Sequence, residues 1–374
     1  MSAGSADYRA AGVDYDALDA GKRSAMAKAL ATSPLLAARG GRALDTSRGE
    51  PAFAFDFDGR TLAFVVEGLG TKSMIARHVL ERHGVDRFAD VAYDTVAAIV
   101  GDLCCVGALP LVVNAYFATG ASEWYAQAGR AASLLEGWQR ACVDAGCTWG
   151  GGESPSLSGL VSQDDVELAG AAVGAVPQGR SAILGDGLKP GDEIVLVSSS
   201  GLHANGASLA RLLAERLPDG YMTSLPSGRS LGEALLDPSV MYAGLVGALL
   251  ESDVPISYLS HITGHGLLKL MRRPQQLTYR IARLPPVPEV LAFLAEQVGL
   301  DDRAAYSTLN MGAGYAVYCA ARRGGEVVEL ARAAGLTALV AGAVEAGPRR
   351  VILDPLGVEY AGKELEFTEL RDAT

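Results

Sequence analysis

Aromatic residues are scarce in this 374-residue chain, at 6%, and there are only five cysteines. The thiols, at 104, 105, 142, 147 and 319, are odd in number, irregular in spacing and set among apolar residues. That pattern argues against a disulfide scaffold and against a cysteine-built zinc site. It reads instead as buried, reduced thiols, so a cytoplasmic protein is expected. A basic stripe is also missing: 32 Lys and Arg against 43 Asp and Glu leave a net charge of −11, which argues against nucleic acid as a partner. No stretch suits a membrane. Residues 96–120 carry one charge, Asp102, but Gly101, Gly107 and Pro110 break the run into a helix followed by a strand. Met1–Asp7 has neither the basic nor the apolar segment of an export leader, so no export is expected.

What is present is 49% apolar residues and 45 glycines, a composition suited to α/β structure with many short turns. Strand-like and helix-like stretches alternate, and the length allows two cored domains. The expected division is 1–176 and 177–374, with the boundary near Pro177. The first half reads as strands Phe53–Phe57, Leu62–Val66, Leu111–Phe117 and Val166–Val176, with helices following Lys72, from about Asp90, and from about Ser122 to Ala145. Residues 39–50 read as a mobile Gly/Arg/Ser loop and residues 347–374 as a largely polar tail. The second half offers a strand at Glu193–Val197, a helix from Ala207 and a glycine-rich helix start at His261–Gly266.

The chemistry gathers at three places. Thr61–Val66 forms an apolar strand that ends on Glu67, Gly68, Leu69, Gly70, Thr71 and Lys72. The glycines allow a tight turn whose N–H groups approach an anion. Glu67 can hold Mg²⁺ on that anion and Lys72 can neutralise a terminal phosphate, although a plain structural turn has the same appearance. Asp94 and Asp102 fall on roughly one face of an otherwise apolar helix, ~12 Å apart at ~1.5 Å per residue. Burying unpaired carboxylates is costly, so either they face solvent or cations meet them. Ser199–Gly206 then joins a strand to a helix, offering unpaired N–H groups and a favourable dipole to a phosphate. His203 adds a donor or proton-transfer group there; a capped helix with a surface histidine is the plainer alternative.

These motifs, in this order, resemble the aminoimidazole ribonucleotide synthetases, the phosphoribosylformylglycinamidine cyclo-ligases. The resemblance rests on Tyr8–Asp14, Glu67–Lys72, Gly101–Pro110, Ala118–Gly120, Gly151–Glu153, Ser199–Gly206, His261–Gly266 and Asn310–Gly314, and it spans about residues 8–345. It implies a two-domain α/β fold whose N-terminal strands form a barrel with a second copy in a homodimer. It also implies ATP and Mg²⁺ as cofactors and a phosphorylated small molecule as substrate. Carried over position by position, the nucleotide side comprises Glu67, Gly68, Gly70, Thr71, Lys72, Asp94, Gly152 and Glu153. Glu67, Asp94 and Asp102 are the metal candidates. Ser199, Ser200, Gly201, His203, Asn205 and Gly206 would take the substrate phosphate, and Lys72, Asp102 and His203 would serve catalysis.

The implied reaction phosphorylates the formyl amide oxygen of formylglycinamidine ribonucleotide and closes the imidazole ring by attack of the amidine nitrogen. Such chemistry asks for positioning and charge neutralisation more than for a covalent nucleophile. The chain departs from the family pattern at Glu67 (Asp in the family), Gly101 (Asn), Ser156 (Glu) and His265 (Gly), and its N-terminal glycine-rich loop is reduced to Gly40-Gly41. Selenophosphate synthetases need a reactive residue in the N-terminal loop, where this chain has no cysteine. Hydrogenase maturation relatives end in a cysteine, whereas this sequence ends Arg371-Asp372-Ala373-Thr374. Thiamine-monophosphate kinases lack the 199–206 loop in this form. Two other readings are a paralogue that activates a different amide or carboxyl group and a degenerate ligand-binding scaffold.

Overall fold

A computed structural model describes residues 15–127 and 129–365; the Tyr8–Asp14 motif and the last nine residues lie outside them. Two sheets carry the chain. The first comprises β1 (Gly41–Ala43), β2 (Phe53–Phe57), β3 (Arg60–Gly68), β4 (Leu109–Thr119), β5 (Thr148–Glu153) and β6 (Val166–Ala175), in the order β1-β2-β3-β6-β4-β5. Its pairs are antiparallel except β4 with β5. The second comprises β7 (Glu193–Ser198), β8 (Ile256–His261), β9 (Leu277–Ile281), β10 (Ala313–Cys319), β11 (Ala338–Ala346), β12 (Arg350–Leu353) and β13 (Val358–Ala361). Their order is β13-β12-β9-β11-β7-β10-β8, with only β9 and β12 parallel.

Helix α1 (Tyr15–Leu30) precedes the first sheet, and α2 (Lys72–His83), α3 (Phe88–Cys104) and α4 (Arg130–Ala145) follow or interleave its strands. α3 is apolar almost all round because it is buried almost all round. It lies between the inner face of β3 and β6 and helix α4. Its closeness to α4 depends on one residue: a Cβ at Gly137 would stand 1.9 Å from the Ala89 carbonyl oxygen. In the second half, α5 (Ala207–Arg216) packs near α2, α6 (Ala243–Glu251) packs against α3 and β4, and a helix at Gly324–Ala333 covers β7 and β11. Strands β7 and β10 are buried along nearly their whole length, as expected for strands covered on both faces. A single apolar core runs through both halves.

Most expected elements are present, and four differ. Residues 39–50, read as a mobile loop, form β1 and a short 3₁₀ turn at Asp45–Ser47, held by pairing with β2. The helix expected over 122–145 is broken: Glu123–Ala126 is a separate turn, and Gly129, at φ 86°, redirects the backbone before α4. His261–Gly266 leads into a 3₁₀ segment, Gly266–Met271, rather than an α-helix. The tail from residue 347 includes β12 and β13, which extend the second sheet.

One face of the first sheet is left open. Phe64, Val66, Leu111, Val112, Tyr116 and Val173 are all more than a third exposed. Phe64 and Val112 are both opposite Val173, so these side chains share one largely apolar face, interrupted by Asn114 between Val112 and Tyr116. The Gly137 contact yields a stability test. Gly137→Ala forces α3 and α4 apart and is expected to destabilise the fold by about 1–3 kcal/mol, read as a lower urea midpoint with unchanged slope; an unchanged midpoint would show that the helices separate freely.

Candidate active site

The strongest polar contact lies beneath the glycine turn. Lys72, the first residue of α2, is fully buried and forms an ion pair with Asp94 of α3, also fully buried. Lys72 Nζ donates to the His203 carbonyl oxygen at 3.0 Å, and the second Asp94 oxygen accepts from the Ser239 amide at 2.6 Å. Of the two alternatives for Asp94, cation or solvent, the structure gives a cation, and that cation is Lys72. Lys72 and Asp94 do not line the cleft described below.

The second aspartate of α3 does line it. Asp102 accepts a hydrogen bond from His261 at the end of β8, with Oδ1 2.8 Å from Nδ1. Burial alone would raise the Asp102 carboxyl pKa; the His261 hydrogen bond and charge, with Lys269 and Arg272, outweigh it and hold the group below its ordinary value. Gly101 makes this pairing possible. A Cβ there would fall 2.6 Å from His261 Cε1 and 2.8 Å from Nδ1, so the missing side chain is the space the imidazole occupies.

Between the two halves lies a cleft of about 630 Å³. Gly68 and Glu67, from the end of β3, line one side together with Asp102; Arg48, Glu50 and α1 close another; Thr263, His265, Lys269 and Arg272 form the wall from the second half. Glu50, from the segment expected to be mobile, is almost wholly buried, 2.9 Å from Arg273 and accepting from the Tyr258 hydroxyl at 2.7 Å. His265 has φ 70°, a left-handed conformation that explains why glycine suits this position.

A smaller recess of about 230 Å³ opens beside the cleft. Gly68–Thr71 forms one wall and Ala204–Ser208, running into the N-terminus of α5, forms the other. The Thr71 and Ser208 hydroxyls meet across it at 3.3 Å. Two motifs 137 residues apart thus converge on one polar pocket at a helix N-terminus, where unpaired N–H groups favour an anion.

In the rest of the 199–206 loop the side chains bond to the protein's own groups, although Ser200 stays exposed. Ser199 Oγ donates to Asn310 Oδ1 at 2.7 Å, Ser200 Oγ donates to the Pro238 carbonyl at 2.7 Å, and Asn310 donates to the Gly201 carbonyl at 2.9 Å. His203 is buried at φ 58°, with Nε2 3.1 Å from the Ser200 amide and hydroxyl. Burial, with His261 and Lys72 adding to it, lowers its pKa to about 3. It is a neutral imidazole that shapes the loop, neither the surface histidine of the plainer alternative nor a cationic donor. Asn205 and Gly206 do reach the recess. Gly152 and Glu153 lie on β5 at the opposite edge of the sheet and are not brought to the cleft.

His261, Lys269, Arg272, Arg48 and Glu50 escape the sequence reading of the site. His261 stands in a quoted motif and so was visible; Lys269 sits in the run Leu267-Leu268-Lys269-Leu270-Met271, which looks like core. A separate groove of about 410 Å³ beside residues 180–187 contributes only Arg180 and Asp186 as charged groups and lies away from these motifs.

Comparison with known proteins gives the family and the fold. The family described as AIR synthase related protein matches through its N-terminal domain over residues 49–176 and its C-terminal domain over residues 189–354. The phosphoribosylformylglycinamidine cyclo-ligase of Carboxydothermus hydrogenoformans is 32% identical over 358 residues, covering 93% of this chain and 98% of the relative. That of Anaeromyxobacter dehalogenans is 38% identical over 285 residues, 75% of this chain and 79% of the relative. Among solved structures, HypE in a HypE–HypF complex superposes with a TM-score of 0.59 at 15% identity, over 83% of this chain and 92% of that one. ThiL complexed with AMPPCP and TMP gives 0.56 at 17% identity, over 84% and 90%. The chain is a member of the AIR synthase related family and has its two-domain fold.

Proposed function

We propose that this protein is an ATP-dependent cyclo-ligase that closes the imidazole ring of formylglycinamidine ribonucleotide in purine biosynthesis, the activity for which its relatives are named. The observation that carries the reading is the convergence of Gly68–Thr71 and Ala204–Ser208 on one anion recess that opens into a cleft lined by Asp102, Glu67 and Lys269. In the reaction the γ-phosphoryl group passes to the formyl amide oxygen and ADP leaves. The amidine nitrogen attacks the activated carbon, loses a proton, and the former amide oxygen departs as inorganic phosphate.

The chain's residues serve this chemistry by position. The α5 N-terminus and the glycine turn hold phosphate oxygens, and the walls of the cleft limit water around the reacting atoms. Mg²⁺ fits the donor set: among the described residues no three acidic, His or Cys groups form a metal cluster, but this ion is usually held by one or two carboxylates plus phosphate oxygens. Of the three carboxylates that line the cleft, Glu50 is engaged by Arg273 and Tyr258, so Asp102 and Glu67 would hold the ion, which would neutralise charge on the nucleotide phosphates. Asp94, expected as a third ligand, is instead engaged by Lys72. The five unpaired cysteines accord with a reducing cytoplasm.

We also infer a homodimer. The open face built on Phe64, Val66, Leu111, Val112, Tyr116 and Val173 belongs to strands β3, β4 and β6, and a second copy of the same sheet would cover it in a barrel. Val66, 63% exposed at its centre, gives the test: wild type should sediment as a dimer at micromolar concentration and Val66→Arg as a folded monomer. A monomeric wild type would refute the pairing.

The activity itself is tested by Asp102→Asn. Wild type should release ADP only when formylglycinamidine ribonucleotide is present and should restore purine-free growth to a strain lacking the cyclo-ligase. The variant, which keeps the shape but not the charge, should lose at least about 100-fold in kcat/KM. Soluble wild type that neither turns over this substrate nor supports growth would overturn the assignment.

A further inference from the structure

We infer that Lys269, not Lys72, is the catalytic ammonium of this site: it meets the terminal phosphoryl group of the nucleotide in the interdomain cleft. The inference rests on the phosphoryl-transfer reading above. Lys72 has no freedom for such a role, since it is fully buried against Asp94 and the His203 carbonyl. The basic groups that line the cleft include Arg48, Arg272, His265 and Lys269. Arg48 is committed to Asp45 and Ser33, and Arg272 donates to the Gly49 carbonyl at 2.8 Å and stands 3.7 Å from Glu50. These two fix the 45–50 segment.

Lys269 is placed differently. Only 8% of it is exposed, and it lines the cleft. Its ammonium donates to a neutral partner, the Thr263 hydroxyl. An ammonium carries three donors; among the described residues this one has a single, uncharged hydrogen-bond acceptor and no carboxylate in direct contact to offset its loss of water. Asp102 and Glu67 lie across the same cleft and influence it electrostatically, as does Arg272. Burial and Arg272 lower the Lys269 pKa to about 8, with Asp102 and Glu67 pulling upward. Two carboxylates lining the same cleft as an under-partnered ammonium supply the charges that phosphoryl transfer needs, acid for a metal ion and a cation for the phosphoryl oxygens. The 3₁₀ segment Gly266–Met271 supplies the placement, because its start at Gly266 lies so close to Tyr306 and Leu309 that a Cβ would stand 2.2 Å from the Tyr306 carbonyl. That packing fixes the backbone from which Lys269 enters the cleft.

The test uses Lys269→Gln, which keeps a donor for Thr263 but removes the charge, and Lys269→Arg, which keeps the charge. Binding of the Mg²⁺ complexes of adenylyl imidodiphosphate and ADP is measured by calorimetry for each, together with kcat/KM for ADP release. Wild type should bind the triphosphate analogue more tightly than ADP. Lys269→Gln should weaken analogue binding by about 10-fold or more while leaving ADP within about twofold, and should lower kcat/KM by about 10- to 100-fold. Lys269→Arg should restore most of the preference. A packing role would weaken both nucleotides alike, and that result overturns the proposal, as does an unchanged analogue-to-ADP ratio or a wild type without preference. If the ratio collapses as expected while formylglycinamidine ribonucleotide is not turned over, Lys269 stands and the substrate assignment falls. If turnover is intact and the ratio is unmoved in Lys269→Gln, the reverse holds.

Discussion

The buried pair between Lys72 and Asp94 is the contact on which the arrangement depends. It sits where α2 leaves the glycine turn, and its two remaining bonds, to the His203 carbonyl and the Ser239 amide, cross into the second half of the chain. A charge pair removed from water is stable only when its leftover hydrogen-bonding capacity is met. Here part of it is met by backbone groups from the very loops that frame the site, the His203 carbonyl on Lys72 and the Ser239 amide on Asp94. Removing either partner would strand the other and costs about 3–5 kcal/mol in comparable cases. The pair therefore holds the turn, the central helix and the 199–206 loop in one geometry.

Two further polar seams join the halves. Asp102, which lines the cleft, meets His261, and Glu50, which also lines it, meets Arg273 and Tyr258. Because all three link sequence-distant segments, the cleft walls are positioned relative to one another by directional bonds as well as by apolar contact. Gly101 belongs to this logic. Its lack of a side chain is a loss when judged by the family's Asn, but the His261 ring fills that space. A side chain at 101 would require the ring to move, so the glycine and this placement of the Asp102–His261 bond go together.

Much of this was legible beforehand. The strand ending at Glu67, the apolar helix with its two aspartates, and the loop before α5 all announced themselves by period and by glycine placement, because local sterics dictate them. Family resemblance added order and fold. What could not be read was partnership. Nothing near Asp94 in the chain reveals Lys72 as its counter-ion, and nothing near Glu50 reveals Arg273, 223 positions away. The 39–50 stretch looked mobile because its composition is that of a loop, while its order comes from β2 and from the Glu50 network. His203 looked like a donor for the same reason: local pattern places it in a phosphate-type loop, and only packing shows that its ring is turned into the protein.

The contrast between the two lysines follows from that limit. A lysine directly after a Gly-x-Gly turn reads as a phosphate ligand, and one in a leucine-rich run reads as a stray charge in core. Tertiary structure gives the two different surroundings: the first is paired with a buried carboxylate, and the second lines a cleft with a hydroxyl for company. That difference is consistent with how a phosphoryl-transfer site must be built. A cation already satisfied by a buried aspartate has little attraction left for an incoming phosphate, whereas an ammonium short of acceptors gains most of its compensation when the phosphate arrives. A site of this kind can keep its scaffold charges sealed and expose only the charge whose partner is the ligand.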